Sequence, residues 1–130
     1  MEPLRLVDTD VLIAHLRGLP PAREWLHSAA DEGGLVTSVV TVAELTGGMR
    51  SAERRQVWTL LAALDSLPVT DAIARRAGEL RRMYGRGHSG IDTTDYLVAA
   101  TALEHGLELV TLNVRHFPMF EGLQAPFAVG

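Results

Sequence analysis

The sequence predicts one α/β domain spanning residues 1–130, with short strands and helices alternating around a mainly parallel sheet. Three observations predict it. The run Leu4-Arg5-Leu6-Val7 favours a strand and ends at Asp8-Thr9-Asp10, after which apolar residues resume at helical spacing with Val11, Leu12 and Ile13. Two similar short runs, Leu35-Val36-Thr37-Ser38 and Leu107-Glu108-Leu109-Val110-Thr111, recur with helical patterns between them, as βα units require. The chain has 130 residues, 47% hydrophobic and 22% charged, which is ordinary globular composition and enough for one core.

Each element has a local reason. Thr9 to Arg17 reads as a short helix closed by Gly18, and Pro20-Pro21 opens a second helix over about Ala22 to Ala30. Asp31-Glu32-Gly33-Gly34 is a turn into the strand at Leu35. Thr41 with Glu44 three residues on has the capping-box pattern, so a helix is expected to start there and to weaken at Gly47-Gly48. Ala52 to Leu64 carries an apolar stripe of Val57, Leu60, Leu61 and Leu64, and Leu67-Pro68-Val69 is a short strand candidate. Thr70 can cap a helix running to about Tyr84, with Ile73, Ala77, Leu80 and Tyr84 on one face. Gly85 to Gly90 has loop composition, an alanine-rich helix follows from about Asp92 to His105, and Gly106 stops it. Phe127 to Val129 is a candidate last edge strand.

Composition excludes several classes. There is no cysteine, hence no disulfide scaffold and no thiolate metal site, and the chain suits a reducing cytoplasm, its expected location. No targeting segment is read at the charged N-terminus, and no apolar run approaches the roughly 18 residues of a membrane span. The net charge of −4 argues weakly against nucleic acid, yet all 12 basic residues are arginine, whose planar fork suits phosphate.

Asp8 is the centre of the functional reading. A carboxylate at the C-terminal tip of a buried strand lies where open parallel sheets bind ligands. It costs desolvation unless something positive neutralises it, and no Lys or Arg adjoins it in sequence. Asp8, Glu44 and Asp95 each fall at or just after a helix start, and in a parallel sheet such points converge on one edge. Converging carboxylates call for a hard cation such as Mg²⁺, and water held by such a cation is a hydrolytic nucleophile. Each acid also has a simpler explanation. Asp8 can cap a helix, Glu44 can complete the box with Thr41, Asp92 or Thr94 can cap the helix of Asp95, and Asp95 can answer the helix dipole.

The five histidines lack zinc-ligand spacing, and only His88 and His116 have loop settings suited to chemistry. No GxGxxG, Walker A or GxSxG motif is present. Arg82, Arg86 and Arg115 are candidates for holding a polyanion beside an acidic metal centre.

Four stretches carry a family resemblance. They are Leu6-Val7-Asp8-Thr9-Asp10, then Val39-Val40-Thr41-Val42-Ala43-Glu44-Leu45, then Asp95-Tyr96-Leu97-Val98-Ala99-Ala100-Thr101-Ala102, and finally Leu109-Val110-Thr111-Leu112-Asn113-Val114-Arg115-His116-Phe117. In this order the chain resembles PIN-domain ribonucleases, and more closely the VapC-type toxins of bacterial toxin–antitoxin pairs, over nearly its whole length. The resemblance implies a three-layer α/β/α sandwich and Mg²⁺ or Mn²⁺ held by acids. Asp8, Glu44 and Asp95 match the family's core acids, with Thr9 and Thr111 at its small hydroxyl positions. The fourth position, often Asp or Asn, is Asn113 here, a weaker ligand that Asp92 could offset from one turn before Asp95. Asp10 is often Asn in the family and is read as support around the ligands. The resemblance also implies RNA as substrate, a homodimer, and a small antitoxin that covers the site.

Two other readings compete. Asp8-Thr9-Asp10 superficially fits the DxD of haloacid-dehalogenase-like phosphohydrolases, but Val11-Leu12 stands where that chemistry expects Gly-Thr, and its lysine is missing. A catalytically weak PIN-like module that binds RNA or protein is the second; Asp8, Glu44 and Asp95 argue against it and Asn113 argues for it.

Overall fold

The computed structural model describes residues 4–129. Four strands, β1 (Arg5–Val7), β2 (Leu35–Ser38), β3 (Asp65–Leu67) and β4 (Glu108–Val110), form one sheet in the order β3-β2-β1-β4, every pair parallel. Six helices connect them: α1 (Thr9–Leu16), α2 (Pro20–Glu32), α3 (Val39–Gly48), α4 (Arg54–Ala62), α5 (Asp71–Tyr84) and α6 (Thr93–His105).

Side chains alternate across the sheet with period two, so each strand feeds two cores. Leu6, Val36 and Leu109 pack with Ile73, Ala77 and Leu80 of α5 and with Tyr96, Val98, Ala99 and Ala102 of α6. Val7 and Val110 face the other way, onto Val11 and Leu12 of α1, Leu26 of α2, Leu45 of α3 and Val57 of α4. The result is the expected α/β/α sandwich. Registry aligns Leu6 with both Val36 and Leu109, and Val7 with Val110, so like faces meet across neighbouring strands.

The chain first winds outward from β1 through β2 to β3, then returns past β1 to place β4 on its other side. Connections on the outward path lie on one face and the return connection on the other, as crossovers of a single hand demand. The C-terminal ends of β1 and β4 therefore flank the point where the winding direction reverses, the usual ligand crevice of such sheets.

Several boundaries differ from expectation for identifiable reasons. Helix α3 starts at Val39, not Thr41, because the Ser38 hydroxyl at the end of β2 accepts the Val40 N–H at 3.0 Å and caps it earlier. The Thr41–Glu44 capping box does not form. The segment expected as one helix from Ala52 begins as a 3-10 turn (Ser51–Glu53) before α4. β3 lies two residues earlier than Leu67–Val69, since Pro68 has no N–H to extend a ladder. Its exposed Asp65 and Ser66 are tolerated because β3 is an edge strand. No strand forms at 127–129; Phe127 instead packs against the core around Val7. At the end of α6, Gly106 adopts φ 65° and the Leu107 N–H reaches the Ala102 carbonyl at 2.8 Å, a Schellman closure that turns the chain into β4. No helix among the described residues is long and apolar enough to cross a membrane.

Candidate active site

β1 hands the chain to α1 at Asp8, which has extended backbone angles and caps the helix through its side chain. Its amide donates to the Val110 carbonyl at 2.9 Å, pinning the tips of β1 and β4 together. That contact brings Thr111, the next residue of the β4 segment, beside Asp8. The Thr111 hydroxyl donates to Asp8 Oδ2 at 2.8 Å, and the Thr9 N–H donates to Oδ1 at 2.9 Å. Asp8 is 7% exposed. Burial, and next the charge of Asp10, push its pKa from 3.8 up to about 7, against the pull of the Thr111 and Thr9 hydrogen bonds. Asp95 adds a smaller push in the same direction, so the start of α6 lies within electrostatic reach of Asp8.

Asp10, on the first turn of α1, accepts the Leu112 N–H at 3.2 Å, and its Oδ2 lies 3.3 Å from the Thr111 hydroxyl. Burial also raises its pKa, an effect opposed by these hydrogen bonds. Asp10 thus braces the turn after β4.

Glu44 is reached through hydroxyls. The Thr9 hydroxyl lies 2.6 Å from Glu44 Oε1 and 2.9 Å from the Thr41 hydroxyl. Thr9 has one proton and a carboxylate only accepts, so Thr9 donates to Glu44 and receives from Thr41. Thr41 is fully buried. Sequence reasoning gave it a capping role and missed this one, although its spacing of three from Glu44 places both on one helix face.

Asp95 stands in the first turn of α6, capped by Asp92. Its Oδ2 accepts the Asp92 N–H at 3.1 Å and lies 3.0 Å from His116 Nδ1. The same Nδ1 is 2.8 Å from the Asn113 amide. Asn113 is therefore engaged with His116, and Asp92 is exposed and serves the helix start.

Two neighbouring groups result. Asp8, Asp10, Thr9, Thr111, Thr41 and Glu44 form one hydrogen-bonded set, and Asp95, His116 and Asn113 form another. Among the described residues, no three His, Asp or Glu side chains are close enough to hold an ion by themselves. The donor set nevertheless fits a hard cation. Its charged donors are carboxylate oxygens, and Mg²⁺ keeps several waters when one or two carboxylates hold it. The buried Asp8 carboxyl beside Asp10 has no cationic partner among the described ion pairs. A bound cation would offset the burial, and next the repulsion from Asp10, that raise its pKa.

The arginines divide. Arg5, Arg75 and Arg76 are paired with Glu32, Asp71 and Glu104. Arg82 and Arg86, with Arg81, line an open groove at the end of α5, and they are exposed with no ion pair among the described residues. Arg115 is likewise exposed, one residue from His116. Glu44 also lines a cavity of ≈ 390 Å³ between α1, α3 and α4, with Ile13, Leu16, Leu45 and Val57 in its apolar lining and Arg17 and Arg50 among its polar residues.

Comparison with known proteins agrees with this architecture. The family model described as PIN domain matches residues 5–119. The chain is 61% identical over 124 residues to Ribonuclease VapC10 of Mycobacterium tuberculosis, covering 95% of this chain and 93% of the relative. It is 41% identical to Ribonuclease VapC19 of the same organism, over 95% of this chain and 100% of the relative. Among solved structures it is similar to a toxin-antitoxin complex from Klebsiella pneumoniae, with TM-score 0.81, 25% identity, and coverage of 96% of this chain and 99% of that one.

Proposed function

The chain belongs to the PIN-domain family, and from that premise we propose that it is a metal-dependent endoribonuclease, the toxin of a toxin–antitoxin pair, hydrolysing RNA phosphodiester bonds. The observation that carries the reading is the buried Asp8 carboxyl at the reversal point of the sheet, unneutralised by any described cation and flanked by Asp10, Glu44 and Asp95. Asp8 and Asp95 would hold Mg²⁺ or Mn²⁺, with Glu44 completing the set. When bound, the cation supplies charge stabilisation for a phosphodiester undergoing attack and makes water a better nucleophile.

The chain's own residues do the rest. Thr111 and the Thr9 N–H hold both Asp8 oxygens in place, so the carboxylate is oriented before substrate arrives. Thr41 and Thr9 do the same for Glu44 Oε1. Glu44 is the exposed member of the three and is placed to orient or deprotonate the attacking water. Arg82, Arg86 and Arg115 hold the RNA backbone by charge, a sequence-independent contribution. The cavity beside Glu44 would receive an apolar segment of the antitoxin, which would thereby cover the site. The reading includes a homodimer in a cytoplasmic setting, and the names of the relatives, Ribonuclease VapC10 and Ribonuclease VapC19, support its ribonuclease activity.

The test is cleavage of RNA by the purified protein with Mg²⁺ or Mn²⁺ and with chelator, alongside Asp8→Asn, Glu44→Ala and Asp95→Ala. Metal-dependent cleavage lost in all three variants supports the reading. RNA or partner binding without cleavage favours the non-catalytic module instead, a reading to which the neutral Asn113, engaged with His116, lends support.

A further inference from the structure

Among the described residues, His116 is the side chain other than the threonines that hydrogen-bonds one of the three acids Asp8, Glu44 and Asp95, and the proposed reaction leaves it without a role. It sits on a 3-10 turn (Val114–His116) whose amide closes on the Asn113 carbonyl at 3.0 Å. The next residue, Phe117, is 1% exposed and packs in the core beneath α6, so the turn is anchored immediately after the imidazole. The ring is itself 30% exposed and faces Asp95 with Nδ1.

Asp95 Oδ2 receives two donors, the Asp92 N–H at 3.1 Å and His116 Nδ1 at 3.0 Å. A carboxylate only accepts, so Nδ1 carries a proton in this contact. That holds for the neutral Nδ1–H tautomer and for the imidazolium alike, so the contact depends on neither charge state. The Asn113 atom placed against the ring is Nδ2, 2.8 Å from Nδ1; a protonated Nδ1 cannot accept from it, so this protonation goes with the amide reversed and Oδ1 toward the ring, an exchange of two atoms alike in shape. With Oδ2 fixed from two sides, Asp95 cannot rotate freely, and Oδ1 is the oxygen left to turn toward Asp8.

We propose that His116 is a positioning residue for Asp95: its Nδ1–H locks Oδ2 so that Oδ1 faces the cation. This rests on the metal-dependent reading above. Outer partners of metal-binding carboxylates work in this way, and losing one costs about ten- to a hundredfold in metal affinity.

The choice of replacement makes the test specific. In Asn, Nδ2 lies at nearly the place of His Nδ1, whereas the Gln amide corresponds to Nε2. Calorimetric titration with Mn²⁺ of the wild-type chain, His116→Ala, His116→Asn and His116→Gln reads the effect without any cleavage assay. We expect His116→Ala and His116→Gln to weaken Mn²⁺ binding at least about tenfold, and His116→Asn to stay within about threefold of wild type. In single-turnover cleavage the loss in His116→Ala should be recovered at raised Mn²⁺, as a metal-positioning role requires. Wild-type affinity in His116→Ala, or His116→Asn as weak as His116→Gln, would overturn the inference and leave the nuclease reading standing. If His116→Ala does not fold, the Asn and Gln pair decides the matter. No Mn²⁺ binding by the wild-type chain would instead overturn the metal-dependent reading and this inference with it.

Discussion

Replacing Asp8 by Asn should stabilise the metal-free protein while abolishing its function. The native pKa of Asp8 is raised from 3.8 to about 7, a difference of about three units, or roughly 4 kcal/mol at 1.36 kcal/mol per unit. Because the folded value is the higher one, stability tied to the protonated carboxyl is fully present below the unfolded pKa. It declines as pH rises and is gone above about 7. Asn escapes that loss, but its single oxygen cannot serve both the Thr9 N–H and the Thr111 hydroxyl, at a cost of about 1–2 kcal/mol. The net gain is about 2–3 kcal/mol near pH 8 and close to nothing near pH 5. For a chain of this size that is a rise in Tm of roughly 6–10 °C. Thermal melts in chelator across this pH range measure it. Excess Mn²⁺ should reverse the order, stabilising the wild type and leaving Asp8→Asn unmoved. RNA cleavage should fall about a hundredfold or more in the variant. Equal melting of the two proteins at pH 8, or a difference independent of pH, would refute the claim that Asp8 is held ionised against its environment.

Thr41→Val removes the hydroxyl that fixes Thr9 toward Glu44; we expect a loss of about 1 kcal/mol in urea unfolding, with cleavage and calorimetric Mn²⁺ affinity falling together. Reversing Arg82 and Arg86 to Glu should weaken RNA binding and lower its salt slope by about one per arginine removed, with calorimetric Mn²⁺ affinity unchanged. Gly106→Ala forces a side chain into φ 65° and should cost about 1 kcal/mol in denaturant unfolding without touching cleavage.

How much could be read from the residues depended on how local each cause was. Asp8 at the strand-to-helix junction, Thr70 as a cap, and Gly106 as a stop were all legible because their determinants lie within one turn of chain. The alternation of short strands with helices around a parallel sheet was legible from runs such as Leu35-Val36-Thr37-Ser38 and the helical patterns between them, and the three layers came with the family resemblance. The earlier start of α3 was not, since Ser38 and Thr41 are both good caps and only the end of β2 decides between them. β3 was displaced because Leu67 and Val69 look like better strand formers than Asp65 and Ser66, yet Pro68 ends the ladder and an edge strand accepts polar residues. The Asp95–His116 contact joins the first turn of α6 to a 3-10 turn 21 residues on, and the Thr41–Thr9 contact spans 32. No periodicity reports such meetings, and only the assembled sheet brings them about.

The sheet order carries a consequence for synthesis. The hydroxyl partner of Asp8, Thr111, follows it by 103 positions, and β4 must slide in beside β1 before the two can meet. Asp95 and His116 likewise come from the late part of the chain. A nascent chain on the ribosome therefore carries an unfinished acidic edge until Thr111 and His116 have appeared. A premature stop anywhere before Thr111 leaves Asp8 without its partner across the β1–β4 seam. A fragment that stops before β4 therefore lacks one side of this edge, whatever the state of its other helices.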